Sequence, residues 1–221
     1  MSFDPGAVVA GAPSSSRSYV AVRSAFVPDR NAGSAGLQVS DKEKATVANF
    51  LAAKSSKKTQ YFKNRELAAE HLDDAFDLDP APTERFNVRT HAFYTSLFEE
   101  TAYAEREMLL RRRMKKYPKL SLYRCSYATF EYNIDGCTLN LKRFFINHRK
   151  AFVSGHRECQ EIGAVVQGKP LDNILFPSAR FHPGLNLCSF YHSQISAVGM
   201  LRNTTYEVDA SQGSVSIVEQ S

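Results

Sequence analysis

Two short His/Cys spacings stand out among the residues able to do chemistry. His156-Arg157-Glu158-Cys159 sets an imidazole and a thiol three apart, and Cys188-Ser189-Phe190-Tyr191-His192 sets another pair four apart. Thiolate and imidazole suit the borderline softness of zinc, and two such pairs can close a tetrahedral site. His156, Cys159, Cys188 and His192 are therefore the candidate metal ligands, and zinc is the one cofactor the sequence suggests. Neither pair is the Cys-x-x-Cys knuckle of common zinc modules. Buried structural cysteines are the favoured reading, and otherwise no cofactor is expected.

Other constellations are thinner. Asp73-Asp74-Ala75-Phe76-Asp77 resembles, over five residues, the Asp-rich motif with which isoprenoid synthases hold Mg²⁺ and a diphosphate. The second Asp-rich helix of such enzymes is missing, so the pattern reads as an acidic helix end before Asp79-Pro80. No nucleophile elbow, cysteine-protease signature or Gly-rich phosphate loop is present. The expectation is a non-catalytic protein.

The cations are concentrated. Net charge is +5, and residues 101–119 hold seven Lys and Arg against Glu105 and Glu107, a surplus equal to that of the whole chain. A block of this kind attracts acidic protein surface or phosphate. Arg111, Arg112, Arg113, Lys115 and Lys116, with Lys142 and Arg143 beside Phe144 and Phe145, are the candidate partner or nucleic-acid contacts. Tyr117, Tyr123, Tyr127, Phe130 and Tyr132 follow the block, and cations interleaved with aromatic faces suit single-stranded nucleic acid. The bland reading is a helix end whose cations meet the negative dipole terminus.

These residues need elements to position them. The 221-residue chain is 43% hydrophobic and 23% charged, a globular composition with enough length for a core. No uncharged apolar run approaches the ~18 residues of a membrane span. Four cysteines and no secretory pattern point to free thiols in a reducing intracellular compartment. Residues 1–40, rich in Ala, Ser, Gly and Pro, read as an extended arm, with an organelle transit segment over residues 1–36 as the alternative. Residues 41–221 read as a single domain.

Within that domain, residues 41–117 read as helical. Ser40 and Glu43 form a capping box, a second helix spans Thr59 to Phe76, and a third runs from Thr83 to Tyr117. Phe93, Leu97, Thr101, Ala104 and Met108 form the stripe of that third helix. Residues 120–221 read as a small antiparallel sheet with one or two helices. Asp135-Gly136 signals a two-residue hairpin in which Ile134 faces Cys137, Tyr132 faces Leu139 and Phe130 faces Leu141. A short strand gives way to a helix near Phe144. A loop follows Gly168-Lys169-Pro170. Strands at 204–210 and 214–219 are joined through Ser211-Gln212-Gly213.

The sum is an α+β fold with an N-terminal arm, a helical segment and a small sheet. The function it suggests is a non-catalytic structural or linker subunit of a larger assembly. That subunit docks other protein subunits through the arm and the basic helix end. The alternatives are an RNA-associated structural protein of ribosomal or nucleocapsid type, and a small zinc-binding module.

Overall fold

Tyr19 to Val27 mixes aromatic and β-branched residues (Tyr19, Val20, Val22, Phe26 and Val27) with small ones and one arginine, and it forms an interior strand. The computed structural model describes residues 3–27, 65–79, 81, 83–116, 122–148 and 156–220. The expected capping box at Ser40 and the helix after it lie outside these residues, as does the start of the helix from Thr59. In chain order the elements are α1 (Pro5–Gly11), β1 (Ser14–Ser16), β2 (Tyr19–Val27), α2 (Arg65–Phe76), β3 (Phe93–Ser96) and α3 (Glu99–Lys116). There follow β4 (Leu122–Ile134), β5 (Cys137–Asn140), α4 (Lys142–Asn147), α5 (Arg157–Gln167), β6 (Asn173–Pro177) and β7 (Leu185–Ser189). A short 3-10 turn at His192–Gln194 leads into β8 (Ile195–Asp209) and β9 (Ser214–Gln220).

The α+β class holds, but the sheet is large. Among the described residues nine strands join in the order β1-β5-β6-β7-β3-β2-β4-β8-β9, all antiparallel except the β5–β6 pair. Residues 1–40 are no free arm where they are described. Asp4 caps α1 by accepting a hydrogen bond from the Ala7 amide at 3.1 Å, and Pro5 opens the helix. β2 then pairs along its whole length with β4, from Tyr19↔Ile134 to Val27↔Ser126.

The expected 134/137 hairpin is not there. Ile134 pairs with Tyr19 and with Ile195, whereas Cys137 pairs with Ser16. The ribbon of β1–β2 against β5–β4 instead turns a corner at residues 17–18 and 135–136, and the sheet folds back on itself. Gly136 takes that corner at φ 115°, against the Asp172 side chain, which accepts a hydrogen bond from the Cys137 amide at 2.7 Å. Only glycine tolerates both the backbone angle and the contact. The inward set Phe130, Tyr132 and Ile134 was rightly placed, since all three are buried. Alternation reports which face a residue takes and is silent about the partner strand.

The third expected helix is also shorter. Phe93 to Ser96 is a strand paired with β7, and the helix begins at Glu99. Phe-Tyr-Thr-Ser favours a pleated, half-buried surface, and its pairing with Leu187 and Cys188 overrides the helical spacing. The β8–β9 hairpin is present as expected, turning through Gly213 at φ 63°. After α5, β6 and β7 fill the segment read as loop. Their core holds Phe86, Leu139, Phe145, Ile162 and Ile174, all nearly inaccessible. A second core lies between α2 and β2, β3 and β4, and a third under the C-terminal half of α3.

Candidate active site

The sheet is weakest between β2 and β3, which share the single pair Val22↔Ser96. Where the two strands diverge, a cleft of about 390 Å³ opens under α3. Side chains replace the missing ladder. Arg23 of β2 donates to the Tyr94 carbonyl at 3.2 Å and lies 4.5 Å over the Phe93 ring. Arg106 of α3 donates to the Ser24 carbonyl and lies 4.2 Å over the Tyr127 ring. Arg85, from the loop before β3, stands 5.7 Å from the Phe176 ring. All three arginines are among the residues that line the cleft.

Loss of solvent lowers the pKa of each of these arginines. Glu84 opposes the shift most at Arg23, Cys159 does so at Arg85, and Tyr127 at Arg106. A guanidinium does not give up its proton in a protein, so the burial expresses itself as a preference for an anion nearby. Glu84 stands at the mouth. Its residue keeps solvent contact, yet the protein around its carboxyl raises the pKa, with Arg23 opposing. The Glu84 carboxyl therefore keeps its proton to a higher pH than an ordinary glutamate does.

The remaining wall is hydrogen-bonded in place. Glu105 accepts from Ser178 Oγ at 2.7 Å and from Asn186 Nδ2 at 3.1 Å, and Asn186 Oδ1 accepts from Ser96 Oγ at 2.8 Å. The Tyr94 hydroxyl accepts from the Phe86 amide at 2.7 Å and donates to Asn87 Oδ1 at 2.8 Å. Burial raises the Tyr94 pKa far above its ordinary range, so the phenol stays protonated. The Thr95 hydroxyl is buried beside the cleft with no hydrogen-bond partner.

The residues picked from sequence are distributed differently. His156 does line the cleft at the start of α5, its pKa lowered by burial and then by Arg85 and Arg112. Cys159 and Cys188 are buried in the first core; burial pushes Cys159 up to about 11 and Cys188 higher still. His192 is elsewhere, its Nε2 2.7 Å from Asp73 Oδ1 and its ring edge-on to Phe76. Among the described residues no three of His, Cys, Asp and Glu are grouped to hold a metal ion. Asp73 of the Asp-rich stretch is thus occupied by a histidine.

The basic block is divided by the helix. Arg106 turns inward, Arg111 binds Glu107 at 2.8 Å and the Gly213 carbonyl at 2.9 Å, and Arg113 donates to the Tyr127 hydroxyl at 3.3 Å. Arg112, Lys115 and Lys116 are exposed at the helix end, where Arg113, Lys115 and Lys116 oppose the dipole of a helix that starts with Glu99 and Glu100. Lys142 and Arg143 open α4. Tyr127, Phe130 and Tyr132 are core residues, so their faces are not open to bases. Sequence reasoning missed Arg23, Glu84 and Arg85. The one signal was an arginine inside an otherwise apolar β-prone run.

No family model matches the chain, and no curated protein matches it. Among solved structures it is similar to a chain in the crystal structure of the M. tuberculosis MbcT–MbcA toxin–antitoxin complex. The two are 12% identical, the match covers 96% of this chain and 97% of that one, and the TM-score is 0.49. The non-catalytic assembly-subunit or linker reading and its RNA-associated alternative are withdrawn, since the supposed arm supplies β1 and β2 of the sheet, the basic block is partly internal, and Tyr127, Phe130 and Tyr132 are buried. The expectation that the chain is not an enzyme is withdrawn with them. No helix among the described residues is long and apolar enough to cross a membrane.

Proposed function

We propose that the chain is an enzyme acting on a small phosphate-bearing substrate bound in the cleft between β2, β3 and α3. The observation behind this reading is that Arg23, Arg85 and Arg106, all short of solvent, line one cavity. Like charges held together away from water are costly, and an anion relieves the cost through charge-assisted hydrogen bonds. Arginine's planar fork suits phosphate oxygens in particular. Glu84, with its raised pKa, takes the role of proton donor or acceptor, and Glu105 is the carboxylate that Ser178 and Asn186 orient. Phe176 supplies an apolar wall for the rest of the substrate.

Calorimetric titration with pyrophosphate, AMP and uncharged adenosine tests the reading. The phosphate-bearing probes are expected to bind, adenosine to bind far more weakly, and Arg23→Ala to abolish the difference. Glu84→Gln is expected to keep binding and to lose turnover of whichever probe is consumed. Equal binding of AMP and adenosine overturns the proposal.

A further inference from the structure

Helix α3 presents a second face to a second groove. Ala102, Glu105, Arg106 and Leu109 face the cleft, whereas Glu100, Tyr103, Ala104 and Glu107 face β8 and β9 across a groove of about 260 Å³. Both sets follow the i, i+3, i+4, i+7 spacing of one helix side. The groove's apolar surface comes from Ala104, Val215 and Ile217, and its polar groups are two carboxylates, two phenols and the Ser216 hydroxyl.

Their hydrogen bonding is uneven. Tyr103 donates to Glu99 Oε2 at 2.8 Å, and the Glu107 carboxylate is held by Arg111 at 2.8 Å. Glu100 is exposed and makes no ion pair among the described residues. Tyr206, only 2% exposed, lines the groove with a buried hydroxyl that has no hydrogen-bond partner. A buried hydroxyl without a partner costs stability that a ligand atom can recover.

We infer that this groove is a binding site for a small organic cation, a primary alkylammonium. Its head group would lie between the Glu100 carboxylate and the Tyr206 hydroxyl, and its alkyl body would lie on Ala104, Val215 and Ile217. An ammonium has only donors to offer, and the groove offers a carboxylate and a phenol oxygen as acceptors. Arg111 neutralises Glu107, so Glu100 is the unpaired charge beside an apolar floor, and that combination selects for a cation with a hydrocarbon body. The volume fits a ligand of a few heavy atoms.

Pentylammonium and its uncharged isostere 1-pentanol, titrated into the full chain, separate this site from a merely apolar recess. Tyrosine fluorescence reports on the groove, since the chain has ten tyrosines and no tryptophan. Saturable pentylammonium binding, roughly tenfold tighter than pentanol and weakened roughly tenfold in Glu100→Gln, is the expected result. Tyr206→Phe should weaken it about fivefold while melting as the wild type does. Absence of saturable binding, equal affinities for the two probes, or unchanged affinity in either variant overturns the inference.

Discussion

The two halves of the sheet are built on different principles. The half made by β1, β5, β6, β7 and β3 encloses a dry core of Phe86, Leu139, Phe145, Ile162 and Ile174. The half made by β2, β4, β8 and β9 packs small residues, Ala21, Ala128 and Ala197, beside Phe130 and Tyr132, against Ala68 of α2 and Phe93 of β3. Those small residues let α2 lie close to the strands, and Tyr132 fastens it by donating to the Ala68 carbonyl at 3.1 Å. Polar groups are admitted there: Arg23, and His71 with a buried Nε2 that has no hydrogen-bond partner. The first half is held by close packing of its apolar side chains, and the second meets it at the cleft with the desolvated charge of Arg23 and Arg106.

The sharpest break in this contrast is expected from Phe145→Ala in the dry half. Loss of a buried aromatic costs about 3–5 kcal/mol, read as a lower urea midpoint, and the cleft's affinity for pyrophosphate in the folded fraction should not change. Arg23→Ala should do the reverse, with a roughly 100-fold loss of pyrophosphate affinity by calorimetry and a small change in stability. Comparable losses of binding in both variants would collapse the distinction.

A smaller effect is expected from pH. Burial, then Arg23 and Arg106, hold the His71 imidazole down to about 3. The unfolded chain takes up that proton near pH 6.5, so it binds more protons than the folded chain between those values. Stability contributed by neutral His71 is therefore complete above pH 6.5 and is lost as pH falls toward 3. His71→Leu should flatten the fall of the urea midpoint between pH 6.5 and 4, and an unchanged slope would reassign it to other groups. Smallest of all is Lys115→Ala at the exposed end of α3. It should leave pyrophosphate binding unaltered and move stability by less than about 0.5 kcal/mol.

How much of this was legible follows from the range of the interactions. The β8–β9 hairpin was readable because a glycine with positive φ and the alternation around it are local. The buried set Phe130, Tyr132 and Ile134 was readable for the same reason. The Asp135-Gly136 signal marks a bend at Gly136 and was wrong as a hairpin, because β2 and β8 both pair with β4 from more than fifty residues away in sequence. Phe93 satisfied a helical stripe on paper and a strand in fact, since its pairing with Ser189 of β7 carries no local trace. The cleft was not legible at all. Its arginines come from a segment read as an arm, from a presumed helix start and from the middle of a charge run.

By itself the sequence determined the mixed α+β character, the burial pattern of β4, the closing hairpin and the placement of cations at the end of α3. Each of these depends on backbone preference or on periodicity within a few residues. Only the tertiary structure decided that residues 14–27 belong to the sheet, that the four zinc candidates are not grouped, and that Arg23, Arg85 and Arg106 share one cavity. Those outcomes depend on which strands pair and where the pairing fails. They follow from the burial of surfaces far apart in the chain, a free energy that no local window of residues contains.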